Sequence, residues 1–252
     1  MTSTQVVQED SVDLEVQVAD SLAEEEVLEE EAQVAAGKKT IIFDLDGTLI
    51  DSLEDIAVCM NKVLEELNLP IHKMEDYKYF VGGGISVLVE NALNGHSDDI
   101  KEEVTKRFKV IYDQKLHAKT KPYEGIYELL DELEKENHNL AILSNKPHEF
   151  TIAYAKSLFD KYNFKEIHGQ KSDIPKKPDP IAAINIAKVF DAPCEEVYFV
   201  GDTMVDMQTA KNAGMIAIGV LWGFRDEEEL LTNGADFLVS HPLEILEIIK
   251  KI

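Results

Sequence analysis

Cysteine is scarce in this chain: Cys59 and Cys194 are the only two among 252 residues. Two cysteines cannot build a disulfide framework, and no C-x-x-C pair or Cys/His cluster points to zinc. A reducing, cytoplasmic compartment is the expectation. Long apolar runs are missing too. No stretch approaches the roughly 20 residues that a membrane helix needs, so no membrane association is expected. Positive charge is in short supply, with 25 Lys and Arg against 49 Asp and Glu and a net charge of -24. A surface of that sign repels the nucleic acid backbone and excludes a phosphate-tracking nucleic acid binder. The rest is ordinary. Apolar residues at 44% and charged residues at 29% suit a globular chain with a sizeable core, and the length suits one or two domains.

The charge imbalance is steepest at the start. Residues 1–37 contain eleven acidic side chains and no Lys, Arg or aromatic residue. Without them, 38 acidic residues face all 25 basic ones, a balance of -13. The segment lacks the basic start and apolar centre of a signal peptide, and it is too acidic for a transit peptide. Its composition predicts a solvated, disordered extension. The alternative is a docking helix opened by a Ser21/Glu24 capping box, presenting Leu22, Val27, Leu28 and Val34 to an unidentified partner.

Thr40 to Leu45 is a short β-branched and apolar run, the pattern of a strand buried on both faces. Leu53, Ile56, Met60, Val63, Leu64 and Leu67 then recur at helical spacing until Pro70. After Gly82, Gly83 and Gly84, helical periodicity returns from Ile85 to Leu93 and again at Ile100, Val104, Phe108 and Ile111. Residues 53–120 therefore read as an all-helical insert. From Pro122 strands alternate with helices. The strands are expected at Leu140–Leu143, Phe164–His168, Val197–Val200, Ile216–Val220 and near Phe237, and Gly214 is expected to close one helix as a left-handed cap. That alternation predicts an α/β fold with a Rossmann-like parallel sheet, its core formed by residues 38–52 and 121–252.

In such sheets ligands bind beyond the carboxyl ends of the strands. The polar residues there are Asp44, Asp46, Gly47 and Thr48 after the first strand, Ser144 and Asn145 after the second, and Gly201, Asp202 and Asp206 after the fourth. Lys176 and Lys177 belong to the loop after the third. Several carboxylates at one point repel one another, and a hard divalent cation relieves that repulsion. Oxygen donors without sulfur favour Mg²⁺. Acids, a hydroxyl, an amide and a lysine around Mg²⁺ suit a phosphoryl group, whose outer oxygens need positive charge and hydrogen-bond donors.

Asp44-Leu45-Asp46-Gly47-Thr48-Leu49 resembles the first motif of the haloacid dehalogenase superfamily. Leu143-Ser144-Asn145-Lys146 is similar to its second motif, Lys177-Pro178-Asp179-Pro180 to its third, and Gly201-Asp202-Thr203-Met204-Val205-Asp206 to its fourth. All four stand in the expected order, and the resemblance spans about residues 39–252. It implies that Asp44 is the nucleophile, forming an aspartyl phosphate, and that Asp46 protonates the leaving oxygen and later activates water. It implies Mg²⁺ held by Asp44, Asp202, the Asp46 backbone carbonyl and Asp206, the last directly or through water. Ser144 and Lys177 would hold the phosphoryl group, with Asn145, Gly47 and Thr48 as supporting contacts. Lys176 is the rival for the lysine role. The acid at Asp46 implies a hydrolase rather than an ion-pumping ATPase, and Thr48 implies a phosphatase rather than a mutase.

The helical insert resembles a small cap that closes over the site. Phe80-Val81-Gly82-Gly83-Gly84, Lys121-Pro122-Tyr123-Glu124-Gly125 and Leu221-Trp222-Gly223-Phe224-Arg225 point to the phosphoglycolate phosphatase-like branch. By that resemblance the substrate is a small phosphorylated molecule, 2-phosphoglycolate first. A pyrophosphatase or a broad sugar or nucleotide phosphomonoesterase is the alternative. Gly82, Gly83 and Gly84 would offer backbone N–H groups to a substrate carboxylate, or else merely supply a turn. Two other classes compete: a phosphoaccepting receiver domain, which needs no cap, and a silent binding protein acting through its acidic extension. Simple solvated surface is the expected fate of Glu227 to Glu229, packing that of Trp222 and Phe224, and burial that of both cysteines.

Overall fold

The computed structural model describes residues 37–114 and 118–251, so the expectations for the acidic extension fall outside the described residues. Residues 39–252 form one compact unit. Its frame is a parallel sheet of β1 (Thr40–Phe43), β4 (Asn139–Pro147), β5 (Phe164–Gln170), β6 (Val197–Gly201), β7 (Ile216–Val220) and β8 (Phe237–Val239), in the order β5-β4-β1-β6-β7-β8. The central strands β1, β4 and β6 send alternate side chains into two separate apolar layers. Ile41 and Phe43 of β1, Leu140 and Ile142 of β4 and Tyr198 and Val200 of β6 enter one layer. Ile42, Ala141, Leu143, Val197 and Phe199 enter the other. That is the period-two consequence of a sheet covered on both faces, and it explains why these strands are apolar without alternation in polarity.

Between β1 and β4 the chain forms a short antiparallel pair, β2 (Ile50–Asp51) with β3 (Lys121–Pro122). Four helices lie between those two strands: α1 (Leu53–Glu66), α2 (Met74–Phe80), α3 (Ile85–Leu93) and α4 (Asp98–Gln114). Of the helical apolar positions read from the sequence, Leu53, Ile56, Met60, Val63, Leu64, Val104, Phe108 and Ile111 are buried, while Leu67 and Ile100 are partly buried. The β2/β3 pair and α2 had no separate signal in the sequence. Two-residue strands and a seven-residue helix carry too few periods to stand out.

The remaining helices cover the sheet: α5 (Ile126–Lys135), α6 (His148–Leu158), α7 (Ile181–Val189), α8 (Met204–Ala213), α9 (Glu227–Thr232) and α10 (Glu244–Lys251). Gly214 ends α8 in the left-handed conformation, as expected from its place. Three strand ends lie beyond expectation: β5 runs to Gln170, β6 takes in Gly201, and β4 extends furthest. The sheet ladder of β4 continues past Leu143 to Pro147, so Ser144 and Asn145 lie within the strand rather than after it. The apolar run stops at Leu143, where the register with β5 shifts, and pairing resumes at Pro147 opposite Gln170. No helix among the described residues is long and apolar enough to cross a membrane.

Candidate active site

The strand order reverses direction at β1: the chain moves outward through β4 and β5, then returns to β6 on the other side. The crevice at that reversal is where open α/β sheets collect ligands. Asp44 follows β1 there, and Asp202 follows β6. The backbone N–H of Asp44 still donates to Val200 O at 2.9 Å, so both carboxylates leave a rigid sheet edge. Asp206 joins them from the first turn of α8. Carboxylate oxygens of Asp44, Asp202 and Asp206 all lie within 4.8 Å of one another, and all three residues are buried.

Each acid is held differently. Asp206 Oδ2 accepts from Thr203 N at 3.0 Å and from Thr203 Oγ1 at 2.7 Å, the capping arrangement that starts α8. Its Oδ1 accepts from Lys177 Nζ at 2.6 Å. Asp202 accepts from Thr48 Oγ1 at 3.1 Å and from Phe224 N at 2.8 Å. Asp44 has the least support. Lys177 Nζ lies 2.9 Å from Asp44 Oδ1 as an ion pair, yet that oxygen receives no aligned hydrogen bond. Burial pushes the Asp44 carboxyl up to about 7, with Lys177 pulling down and Asp206 pushing up. Burial and the two neighbouring acids hold Asp202 well above the usual carboxylate range. Burial works against the Lys177 ammonium, but Asp206 and Asp44 outweigh it and hold it above its ordinary value.

Three carboxylates against one ammonium leave the ionised cluster two charges negative. An oxygen-only donor set of that charge, with one buried carboxylate oxygen lacking a hydrogen-bond partner, fits a hard divalent cation.

Asp46 belongs to a second, distinct cluster. Its carboxylate turns away from the three acids, accepting from Ser52 Oγ at 2.5 Å and from Lys146 Nζ at 2.9 and 3.1 Å. Asp44, Asp46, Ser144 and Lys146 face one cavity whose opposite wall is apolar, with Ile56, Ile85, Leu88 and Phe108 from the helical insert. Ser144 Oγ accepts from Lys146 N at 3.3 Å, which leaves its own proton for another acceptor. Lys146 was visible in the sequence directly after Ser144 and Asn145, but only the fold pairs it with Asp46.

Several residues anticipated as substrate contacts are spent on the protein. Thr48 orients Asp202. Asn145 donates to Gly82 O and to Lys177 O, both at 3.1 Å, and accepts from Lys177 N at 2.9 Å, so its amide ties two loops to β4. Gly82, Gly83 and Gly84 are clamped from the sheet side. Gly82 O takes the Asn145 amide, Gly83 O takes Lys176 Nζ at 3.0 Å, and Arg225 Nη2 donates to the preceding Val81 O at 3.0 Å. Gly82 and Gly84 have positive φ, and a side chain on Gly84 would press on Asn145 O at 2.8 Å. The clamping bonds engage carbonyls of the turn, not the N–H groups expected to meet a substrate carboxylate. Lys176 reaches the insert, and Lys177 alone of the pair reaches the acids.

Gly47 does not present its N–H to the crevice, because that group donates to Ile50 O at 2.9 Å. Its role is space: φ is 86°, and a methyl there would fall inside the Asp202 carboxylate. Gly47→Ala is expected to lower the melting temperature by at least about 4 °C, through backbone strain and displacement of Asp202. A thermal melt beside an activity assay checks this, and an unshifted melt contradicts the close approach.

Three smaller expectations are corrected. Glu229 is no free surface acid, since it accepts from Met204 N at 3.0 Å and pairs with Arg225 at 3.2 Å. Cys194 is only partly buried, unlike Cys59. Trp222 does more than pack, donating from Nε1 to Thr48 O at 2.9 Å.

Comparison with known proteins gives a consistent picture. A family model described as haloacid dehalogenase-like hydrolase matches residues 41–220. A phosphoglycolate phosphatase of Pseudomonas savastanoi pv. phaseolicola is 33% identical over 228 residues, covering 87% of this chain and 81% of that one. A phosphoglycolate phosphatase of Aquifex aeolicus is 33% identical over 214 residues, covering 83% and 96%. Among solved structures, a haloacid dehalogenase-like family hydrolase from Streptococcus pneumoniae superposes with a TM-score of 0.76 at 25% identity, covering 84% and 99%.

Proposed function

The chain belongs to the haloacid dehalogenase-like hydrolase family and is a phosphoric monoester hydrolase, and from that premise we propose that it cleaves a small phosphomonoester, 2-phosphoglycolate first, through a phosphorylated Asp44. The observation that carries this reading is the split of the acids into two clusters. Asp44 sits with Lys177 at the mouth of β1, while Asp46 is held apart by Lys146 and Ser52 on the cavity side.

The chemistry follows from that split. One oxygen of Asp44 attacks phosphorus as the P–O bond to the leaving group breaks, and Asp46 delivers the proton that the leaving oxygen needs. In the second half, Asp46 takes a proton from water, the water oxygen attacks the same phosphorus, and Asp44 departs as carboxylate with inorganic phosphate released. Lys177, pinned by Asp206 at 2.6 Å, places positive charge beside the transferring group without having to move. Ser144 donates its hydroxyl proton to a phosphoryl oxygen. Gly47, Thr48, Leu49 and Ile50 use their N–H groups to close the loop, which leaves those of Leu45 and Asp46 as the nearby backbone donors. Asp44, Asp202 and the Asp46 carbonyl, with Asp206 nearby, would hold Mg²⁺, which would neutralise phosphoryl charge as a Lewis acid. The apolar wall of the insert excludes bulk water from the reacting oxygens.

The enzyme's net charge opposes anionic substrates at long range, so capture depends on the local field of Lys177 and the cation. Cys59 and Cys194 form no disulfide, in keeping with work in a reducing cytoplasm. A turnover panel of 2-phosphoglycolate, pyrophosphate and sugar phosphates tests the substrate. The expected result is the highest kcat/KM on 2-phosphoglycolate. A pyrophosphate or sugar phosphate preference transfers the assignment to the alternative without altering the mechanism.

A further inference from the structure

A continuous polar chain runs from Asp46 into the place where the helical insert joins the sheet. Lys146 Nζ donates to Asp46 and also to Tyr112 OH at 2.8 Å. Tyr112 OH and Tyr154 OH are 3.0 Å apart, and Tyr154 OH and Thr120 Oγ1 are 3.3 Å apart. Thr120 Oγ1 donates to Asp55 Oδ2 at 2.6 Å, and Asp55 also accepts from Thr120 N at 2.8 Å and Lys119 N at 3.0 Å. The two ends decide the polarity of the hydroxyls between them. Thr120 gives its proton to Asp55, so it accepts from Tyr154. Tyr154 then accepts from Tyr112, and Tyr112 accepts from Lys146. The chain crosses structural layers: Lys146 is near the end of β4, Tyr154 is on α6, Tyr112 is on α4 of the insert, Asp55 is on α1, and Thr120 directly precedes β3.

Stability does not account for Lys146. Desolvating two charges offsets most of their attraction, so a buried ion pair is a weak stabiliser beside a packed apolar group. Geometry does account for it. One ammonium touching both oxygens of Asp46, with Ser52 on Oδ1, fixes the plane of that carboxylate. The rings of Tyr112 and Tyr154, centred 4.7 and 4.9 Å from Nζ, confine the ammonium in turn. We propose that Lys146 is a positioning residue that aims Asp46 at the leaving oxygen, and that Tyr112 makes this aim depend on the seating of α4 against the sheet. The inference rests on the reading of Asp46 as the acid.

The test uses kcat/KM, which reports phosphoryl transfer to Asp44 alone, on two substrates. One is the preferred alkyl phosphate, whose leaving oxygen needs a proton. The other is p-nitrophenyl phosphate, whose leaving group departs without one. Lys146→Met is expected to lower kcat/KM for the alkyl phosphate by about a hundredfold or more, and for p-nitrophenyl phosphate by less than about tenfold. Tyr112→Phe keeps the ring and removes the hydroxyl, and it should reproduce the same selectivity at about tenfold. Equal losses on both substrates, or none, overturn the proposal. If Lys146→Met does not fold, Tyr112→Phe decides alone, and an unchanged ratio between substrates overturns it. Asp46→Asn separates the two levels. If that variant also lacks the selective loss, the reading of Asp46 falls and this inference with it; if it shows the loss and the other variants do not, only the role of Lys146 falls.

Discussion

Asp44→Asn is expected to leave a folded protein whose turnover is lower by about 10⁴-fold or more. The change is nearly isosteric, so packing at the end of β1 is kept. An amide oxygen is a poor nucleophile toward phosphorus, and the acyl phosphate cannot form through it. The fold loses little, because the native carboxylate is poorly supported: it is buried, and Oδ1 takes no aligned hydrogen bond. Lys177 keeps its contact with Asp206 at 2.6 Å when the Asp44 charge is removed. Three measurements check this. Steady-state turnover should collapse, the melting temperature should hold or rise, and acid quenching with labelled substrate should place phosphate on residue 44 of the native enzyme only. Near-normal turnover in the variant, or label on another residue, would end the mechanism.

Asp202→Asn should separate metal binding from folding. In the metal-free protein, Asp202 is fully buried beside two other acids, so its charge costs stability. The amide can still accept from Phe224 N and donate to Thr48 Oγ1. The metal-free variant is therefore expected to melt above the metal-free native protein. Saturating Mg²⁺ should raise the native melting temperature by about 5–10 °C, from roughly 2.7 kcal/mol at a hundredfold excess over Kd, and should not move the variant. Activity should vanish on chelation, return with Mg²⁺, and be absent from the variant. The pH dependence has a definite sign. Burial raises Asp44 from its ordinary 3.8 to about 7, so the metal-free fold binds more protons than the unfolded chain within that window. The contribution of Asp44 to metal-free stability is thus full below 3.8 and lost as pH rises through about 7. Metal binding must expel the same proton, so apparent Mg²⁺ affinity should weaken as pH falls below about 7. A native melting curve indifferent to Mg²⁺ would remove the cation from this site.

The sheet was legible because its signal is local. Ile41 to Phe43 are apolar on both faces, and so are Leu140 to Leu143 and Val197 to Val200, which is what a strand between two helical layers requires. The insert was legible for the same reason, since α1, α3 and α4 each repeat their apolar positions over several turns. The β2/β3 crossover was not, because two residues cannot display a period. Within the site, the acids were legible from their places at strand ends. Their partners were not. Asp46 and Lys146 are separated by 100 positions, and Asp202 and Thr48 by 154. Nor does spacing reveal that the Asn145 amide binds Gly82 and Lys177 or that Lys176 reaches the Gly83 carbonyl.

Sequence by itself therefore determined the α/β class, the helical interruption and the set of acids at the sheet edge. Apolar periodicity and strand-end position are properties of neighbouring residues. Only the tertiary structure decided that Lys177 and not Lys176 meets Asp44, that Asp46 stands apart from the other acids, and that Lys146 joins it to the helical insert. Those choices depend on which distant side chains come within hydrogen-bond reach, and chain proximity carries no record of that.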